Sequence, residues 1–253
     1  MRLKSTAVWY DLPGVEAAYM PIGAPSAVDA LKNIAHDHRS VGKYTAMSAA
    51  LPTWSAERGW TGNGTQYLNT GVIASNANWS IIACFRNRQA GDTSLFGSYG
   101  PPTLIFERYL GLDYFGNGAW SSGRSLAVAN GVAGISGKQG YFNGVFEITI
   151  GAGDTTSGLE TYLFCENRGG AFFLCTVTIT SALLASRTLS PAEMWLASRQ
   201  MAYCEQNPDW NAWARRRHYY YAPSAAAGRV GIYGARGAVA LPGGVRIGTV
   251  NDA

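Results

Sequence analysis

The chain has 253 residues, of which 14% are charged and 12% are aromatic, and it contains 31 glycines. This composition is typical of a folded, turn-rich protein and excludes a disordered one. The formal net charge of +4 is small for a nucleic-acid-binding protein of this length. We therefore expect no specific nucleic-acid partner.

Residues 1–14 are predicted to form an N-terminal arm that ends at the turn Leu12-Pro-Gly14. The arm contains basic residues but no apolar core long enough for a secretory signal. A first strand is predicted over residues 15–22. A short helix or helical loop should follow from Ser26, because its hydroxyl is a typical N-cap and Asp29 stands three residues later.

Residues 54–180 consist of short apolar segments separated by glycine, asparagine or proline clusters. Strands at this spacing, without helices between them, are typical of an all-β sandwich or barrel. Threonine alternates with apolar residues near the end of this region, which predicts a strand and no membrane span. The predicted core residues are Trp60, Tyr67, Trp79 and Phe85. The candidate strands cover residues 67–72, 79–86, 93–99, 104–109, 111–115, 125–128, 140–150, 159–166 and 171–180.

A second helix is predicted to begin after Leu189 and to end near Tyr203. Ser190 is the expected N-cap, Pro191 fits the first helical position, and Glu193 completes a capping box. The predicted apolar face consists of Met194, Trp195, Met201 and Ala202, with the small Ser198 between them.

Three motifs in this order resemble a known family. Trp60-Thr-Gly-Asn-Gly-Thr-Gln-Tyr-Leu68 precedes the strand Trp79-Ser-Ile-Ile-Ala-Cys-Phe85, Tyr141-Phe-Asn-Gly144 is typical of a hairpin, and Leu189-Ser-Pro-Ala-Glu193 follows the last strand. They resemble the opening, hairpin and closing motifs of the laminin-G-like, concanavalin A-type jelly rolls. The resemblance covers roughly residues 15–205. It implies an all-β, concanavalin A-like jelly-roll sandwich with short flanking helices, a fold that more often recognises surfaces, usually glycans, than it catalyses reactions.

The resemblance extends to laminin-G-like proteins of bacteriophage particles, because an arm and an extended C-terminal tail flank the domain. It implies a virion structural protein that decorates a capsid, tail or fibre and contacts other virion proteins, a second copy of itself, or cell-surface glycans. Residues 206–253, a short helix and a glycine-rich tail, are expected to make the assembly contacts. The expected location is the virion, after synthesis in the host cytoplasm.

Aromatic residues beside glycine and asparagine turns are the candidates for glycan contact. Tyrosine and tryptophan rings stack on sugar rings, while a neighbouring amide hydrogen-bonds to their hydroxyls. For each single residue, packing in the core or on a sheet is the alternative. The predicted carbohydrate-binding residues are Tyr109, Tyr114, Asn117 and Trp120.

Two loop carboxylates are candidates for a metal site. Lectin-type sandwiches often bind calcium at loop acids and carbonyls, and hard oxygen ligands suit this ion. The resemblance therefore implies Asp92 and Asp113 as metal ligands. We expect no other cofactor.

Glycoside hydrolysis requires two carboxylates flanking the glycosidic bond. The hydrolases that this fold resembles carry them on one strand in an E-x-D-x-E pattern, which is absent here: Glu147, Glu160 and Glu166 are each isolated. We therefore predict a non-enzymatic binding protein. The alternatives are a free carbohydrate-binding lectin and a diverged glycosidase with two carboxylates facing each other in the groove of the sandwich.

Arginine and tyrosine residues near the C-terminus are predicted to bind a partner, since both types anchor protein interfaces. A solvated basic turn is the alternative. These residues are Arg215, Arg216, Arg217, Tyr219 and Tyr220. The cysteines are predicted to be buried thiols, with a Cys165–Cys175 disulfide as the alternative in an oxidising compartment.

Overall fold

A computed structural model describes residues 8–35, 44–99, 104–126, 128–153 and 158–207. The chain divides into two compact units, Met1–Asn211 and Ala212–Ala253, and all described residues belong to the first. The predicted partner-binding residues Arg215, Arg216, Arg217, Tyr219 and Tyr220 lie outside the described residues.

The described residues form fifteen strands and two α-helices, preceded by a single 3-10 turn at Trp9–Asp11. The helices are α1 (Ala27–Ala30) and α2 (Pro191–Gln206). The strands are β1 (Val15–Tyr19), β2 (Thr53–Ser55), β3 (Gly59–Asn63), β4 (Leu68–Ile73), β5 (Ser80–Arg86), β6 (Thr93–Ser98), β7 (Leu104–Tyr109), β8 (Leu112–Asn117), β9 (Gly131–Ser136), β10 (Gln139–Phe142), β11 (Val145–Thr149), β12 (Glu160–Leu163), β13 (Glu166–Asn167), β14 (Ala171–Phe172) and β15 (Thr176–Ala185).

These strands form two sheets. The first sheet has the order β11-β10-β9-β5-β15-β3-β2, and β1 also pairs with β15. The second sheet has the order β14-β13-β6-β12-β4, and β7 joins β8 to β6. Pairing is antiparallel except for one parallel pair between β13 and β6. The predicted all-β sandwich is thus confirmed.

The core consists of side chains from the inner faces of both sheets. Phe85 and Trp60 enter it from the first sheet, and Phe106 and Phe115 enter it from the second. Trp79 is also buried, whereas Tyr67 lies at the margin, where its ring stacks on Tyr162 with centroids 4.9 Å apart. Alternation along each strand therefore places one set of side chains inside and leaves the other set on the outer faces.

One of the predicted strands is absent from the structure. Residues 125–128 were predicted as a strand, but their described residues form none, and the strand lies at β9 instead. β9 is rich in small residues because α2 packs closely on it: a Cβ at Gly134 would lie 2.7 Å from Met194 Cε. The hairpin between β10 and β11 turns at Asn143 and Gly144, both with positive φ, as the Asn-Gly signal predicts.

The predicted capping box of α2 is present. Ser190 Oγ accepts a hydrogen bond from Glu193 N at 3.3 Å, and the Glu193 carboxylate accepts one from Ser190 N at 2.8 Å. The prediction for Trp195 was wrong, since this side chain is 52% exposed. The predicted Met194, Ser198 and Met201 do face the first sheet, and spacings of three and four residues add Ala197 and Cys204 to them.

Part of the predicted N-terminal arm packs on the domain. Trp9 and Tyr10 are buried, and Trp9 N donates a hydrogen bond to Gln200 Oε1 of α2 at 2.8 Å. All four cysteines are buried and free. No helix of the described residues is long and apolar enough to cross a membrane.

The Glu193 carboxylate should make the stability of this closing helix dependent on pH. Arg187 donates two hydrogen bonds to it, and these lower the pKa of Glu193 to about 2. A carboxyl whose pKa is lower in the folded state stabilises the fold above its unfolded pKa and loses that contribution as the pH falls. We expect Glu193→Gln to reduce the free energy of unfolding at pH 7, with a deficit that shrinks between about pH 4.5 and 2. Urea unfolding over this range measures the deficit, and a pH-independent deficit would contradict the assignment.

Candidate functional site

The hairpin of β7 and β8 presents two side chains on the outer face of the second sheet. Phe106 and Phe115 are cross-strand partners that point into the core. The next pair along the hairpin, Glu107 and Tyr114, therefore points to the outer face. This face carries the candidate site.

Exposed aromatic side chains form a continuous group on this face around Arg168. The Arg168 guanidinium carbon lies 3.8 Å from the ring centroid of Tyr99 and 5.1 Å from that of Phe173. Tyr99 is 6.4 Å from Trp120, which packs edge-on against Tyr114 at 6.3 Å. We call the following residues the aromatic cluster: Tyr99, Tyr109, Tyr114, Trp120, Arg168, Phe172 and Phe173.

Local backbone contacts position the members of the aromatic cluster that come from outside the β7–β8 hairpin. The chain turns back after β8 and forms a bridge between Gly116 and Trp120, which places the indole beside Tyr114. Tyr99 N donates to Asn167 O at 2.7 Å, and this bond attaches the β13–β14 turn to the end of β6. Arg168 occupies that turn and is thereby brought over the Tyr99 ring.

Phe173 closes the other end of the cluster. Its carbonyl accepts a hydrogen bond from Ser94 N of β6 at 2.8 Å. Its ring meets Tyr109 edge-on, with centroids 6.4 Å apart. Tyr109, Trp120 and Phe172 are 43%, 37% and 51% exposed, so their rings remain available to a ligand.

Two carboxyl groups lie beneath the aromatic cluster. Glu107 is 9% exposed, and its carboxylate has no hydrogen-bond partner among the described residues. Glu166 is fully buried; its Oε1 accepts a hydrogen bond from Arg168 Nε, while its Oε2 has no partner in the described part of the chain. A buried acceptor without a partner is destabilising unless it is protonated or bound by a ligand or water.

Burial sets the protonation of both acids. Burial, together with the negative charge of Glu166, raises the pKa of Glu107 to about 7, against the lowering effect of Arg168. Burial also raises the pKa of Glu166, and the hydrogen bond from Arg168 opposes this. Near neutral pH, Glu107 therefore exchanges between a hydrogen-bond donor and an acceptor.

The structure brings together some of the predicted glycan-binding residues. Tyr114 and Trp120 are in contact, and Tyr109 joins the same face through Phe173. Asn117 does not contribute: it is buried, and its Nδ2 donates to the carbonyls of Ala77 and Gly137 at 2.9 and 2.7 Å. Its amide therefore holds loops of the protein together.

Sequence reasoning missed Glu107 and the rest of the aromatic cluster. Tyr99, Glu107, Arg168 and Phe173 come from three separate segments, and only the pairing around β6 makes them neighbours. The Arg168-Gly-Gly-Ala-Phe-Phe173 turn, with an arginine and two aromatic residues around glycines, was the signal available in the sequence.

The carboxylate of Asp113, a predicted metal ligand, accepts hydrogen bonds from two arginines. Arg88 Nη1 donates to its Oδ1 at 2.8 Å, and Arg108 donates to both oxygens at 3.1 and 3.0 Å. Asp92 instead accepts a hydrogen bond from Leu110 N. No group of three or more histidine, cysteine, aspartate or glutamate side chains suited to a metal occurs in the described residues. Calcium binding stays a prediction, and the described residues offer no such group of ligands for it.

Solved structures of other proteins share this architecture. Domain 4 of AbnA, a GH43 extracellular arabinanase from Geobacillus stearothermophilus in complex with arabinotriose, has a TM-score of 0.51 and 14% identity, covering 73% of this chain and 98% of that one. The likeness shows a two-sheet β-sandwich. It shows the fold alone, so the laminin-G-like family and the phage origin remain a resemblance of sequence motifs.

Weaker likenesses are to parts of larger proteins. A Trypanosoma rangeli sialidase mutant displaying trans-sialidase activity has a TM-score of 0.40 and 14% identity, covering 76% of this chain and 33% of that one. The binding domain of Botulinum neurotoxin serotype D has a TM-score of 0.47 and 8% identity, covering 74% of this chain and 50% of that one. This chain thus spans one third to one half of those two chains. No family model matches the chain, and no curated protein matches its sequence.

Replacement of Asp113 should strongly destabilise the fold. Asp113→Asn leaves two largely buried guanidinium groups without a counter-charge, and the loss of one partner from a buried ion pair costs about 3–5 kcal/mol. The matched control is Asp92→Asn, an exposed position whose side-chain oxygen is retained, with an expected change within about 0.5 kcal/mol. Urea unfolding measures both, and equal effects would contradict the assignment.

Glu107 should destabilise the folded protein at high pH. Because its pKa is higher in the folded state than in the unfolded chain, stability falls as the pH rises from about 4.5 to about 7. We expect Glu107→Gln to be more stable than the wild type at pH 8 but not at pH 4. The exposed Glu57→Gln is the control, and an identical pH profile of the two variants would refute the prediction.

Proposed function

We propose that the protein binds neutral carbohydrate chains through the aromatic cluster and acts without catalysis. The observation that carries this proposal is the row of partly exposed rings of Tyr99, Trp120 and Tyr109 around Arg168 on one face of the sandwich. Aromatic faces stack on the apolar face of sugar rings, while adjacent polar groups bind hydroxyls.

The charges of the cluster favour a neutral ligand over an acidic one. Arg168 is paired with Glu166, so its positive charge is compensated. Glu107 adds a negative charge above about pH 7, which opposes the approach of an anionic sugar. The Glu107 carboxyl also has an unpartnered oxygen that can accept a hydrogen bond from a sugar hydroxyl. Such a hydrogen bond is strong when the carboxyl is ionised.

The burial of Glu166 supports binding over hydrolysis. The negative charge of Glu166 raises the pKa of Glu107, so the two carboxyl groups interact. A pair of carboxyl groups is what glycoside hydrolysis requires, which makes a diverged glycosidase the second candidate. However, Glu166 is fully buried and hydrogen-bonded to Arg168, and a nucleophile or base must contact its substrate. Release of reducing ends from a bound oligosaccharide, lost in both Glu107→Gln and Glu166→Gln, would establish the hydrolase instead.

The role in a bacteriophage particle stays a prediction. The solved structures named above give it no support, and the residues expected to make assembly contacts lie outside the described part of the chain. A glycan-binding face is compatible with a free lectin or with a module of a larger assembly. We therefore base the proposed function on the aromatic cluster alone.

Two exposed tryptophans provide a matched test of the proposal. A glycan array that includes arabinotriose first identifies a ligand, and isothermal titration calorimetry then measures its dissociation constant. Trp120→Ala should weaken binding at least about tenfold, the loss of about 1.4 kcal/mol. Trp195→Ala removes an exposed indole from α2, outside the aromatic cluster, and should leave the affinity unchanged. Equal affinities of the two variants, both shown by circular dichroism to be folded, would overturn the proposal.

A further inference from the structure

The outer face of the first sheet carries a second group of polar side chains. Arg86 of β5 and Thr61 of β3 both pair with Thr178 of β15, so the three stand in a row across neighbouring strands. The preceding residues Phe85 and Trp60 point into the core, which places this row on the outer face. Since the sheets pack by their inner faces, the row and the aromatic cluster lie on opposite sides of the sandwich.

This row borders a cavity of about 210 Å³. Its lining residues include two arginines, three threonines and one asparagine, and none of them is acidic. A water molecule occupies about 30 Å³ in the liquid, so the cavity has room for a small polyatomic ion together with some of its hydration water. The lining residues are Arg58, Thr61, Arg86, Asn87, Thr176, Val177 and Thr178.

The guanidinium of Arg86 has donors that the described protein leaves unused. Its Nη2 is buried without a hydrogen-bond partner. Its Nε lies 2.8 Å from Glu205 Oε1 as an ion pair, but outside hydrogen-bond geometry. An unsatisfied buried donor on a charged group is costly, and the Arg86 side chain lines the cavity.

Arg58 adds positive charge that is not compensated nearby. It is exposed, and its side chain has no carboxylate partner among the described residues. Glu205 offsets the charge of Arg86 alone, so the lining retains a net positive charge. A guanidinium presents its donors as a planar fork that matches oxyanions, and threonine hydroxyls can donate to the remaining oxygens.

We propose that this cavity binds an oxyanion, namely a sulfate or phosphate group. Arg86 and Arg58 supply the charge-assisted hydrogen bonds, and the threonine hydroxyls and the Asn87 amide supply neutral ones. Glu205 competes with the anion for Arg86. The group is either a free inorganic ion or the charged end of a larger ester, such as a sulfated or phosphorylated sugar. The site is independent of the proposed glycan site.

Anion titrations of the full chain test this proposal. Sodium sulfate and sodium phosphate are titrated at constant ionic strength set with sodium chloride, and the amide NMR shifts of Thr61, Asn87 and Thr178 give the dissociation constant. Arg86→Gln should weaken binding at least about tenfold, because one charge-assisted fork is lost. Glu205→Gln should tighten binding about threefold or more, because it frees Arg86.

Two further variants keep the result interpretable. Arg58→Gln changes an exposed side chain, so it should fold normally and still weaken binding, even if Arg86→Gln is unstable. Arg199→Gln removes an equal charge from α2 outside the lining and should leave the dissociation constant unchanged. The same titration with glucose 6-sulfate and glucose 6-phosphate separates the sources: tighter binding than the inorganic ions indicates an ester ligand, and equal binding indicates a free anion. Shifts that chloride reproduces, or equal weakening by Arg58→Gln and Arg199→Gln, would overturn the proposal.

Discussion

The buried ion pairs between Asp113 and the guanidinium groups of Arg88 and Arg108 hold in place the part of this domain that carries the aromatic cluster. Arg88 follows β5 of the first sheet, whereas Arg108 and Asp113 belong to the β7–β8 hairpin of the second. Arg88 also donates to Thr93 O at 3.0 Å, at the start of β6. Buried charges are tolerated only when they are paired and hydrogen-bonded, so the hairpin has one favourable position relative to the first sheet.

That position determines which side chains reach the outer face. With Arg108 and Asp113 turned inward, alternation along the strands turns Glu107 and Tyr114 outward. The β13–β14 turn then brings Arg168 to the same face, where Glu107 is largely covered and keeps 9% of its surface exposed. The burial that accompanies the aromatic cluster also raises the pKa of Glu107. The free energy of unfolding therefore decreases as the pH rises towards 7. The proposed binding face and the local loss of stability thus have one cause.

The two outer faces of the sandwich have different chemistry. The second sheet presents exposed rings around a compensated arginine, which suits an uncharged ligand. The first sheet presents arginine and threonine around a cavity, which suits an anion. Because the sheets share one core and face opposite ways, a ligand on one side leaves the other side accessible.

The regular spacing of short apolar segments along residues 54–180 predicted the all-β class. Signals confined to a few neighbouring residues were sufficient to predict the Asn143-Gly144 turn and the capping box of Ser190 and Glu193. Each depends on contacts between residues at most a few positions apart, so each is legible in the sequence. The roles of Asp113, Asn117 and Trp195 were not predictable in this way, because each depends on which face of an element meets another part of the chain. The assembly of Tyr99, Glu107 and Arg168 was likewise decided only by the tertiary structure. Strand register and sheet order bring these distant residues together, and no local pattern specifies either of them.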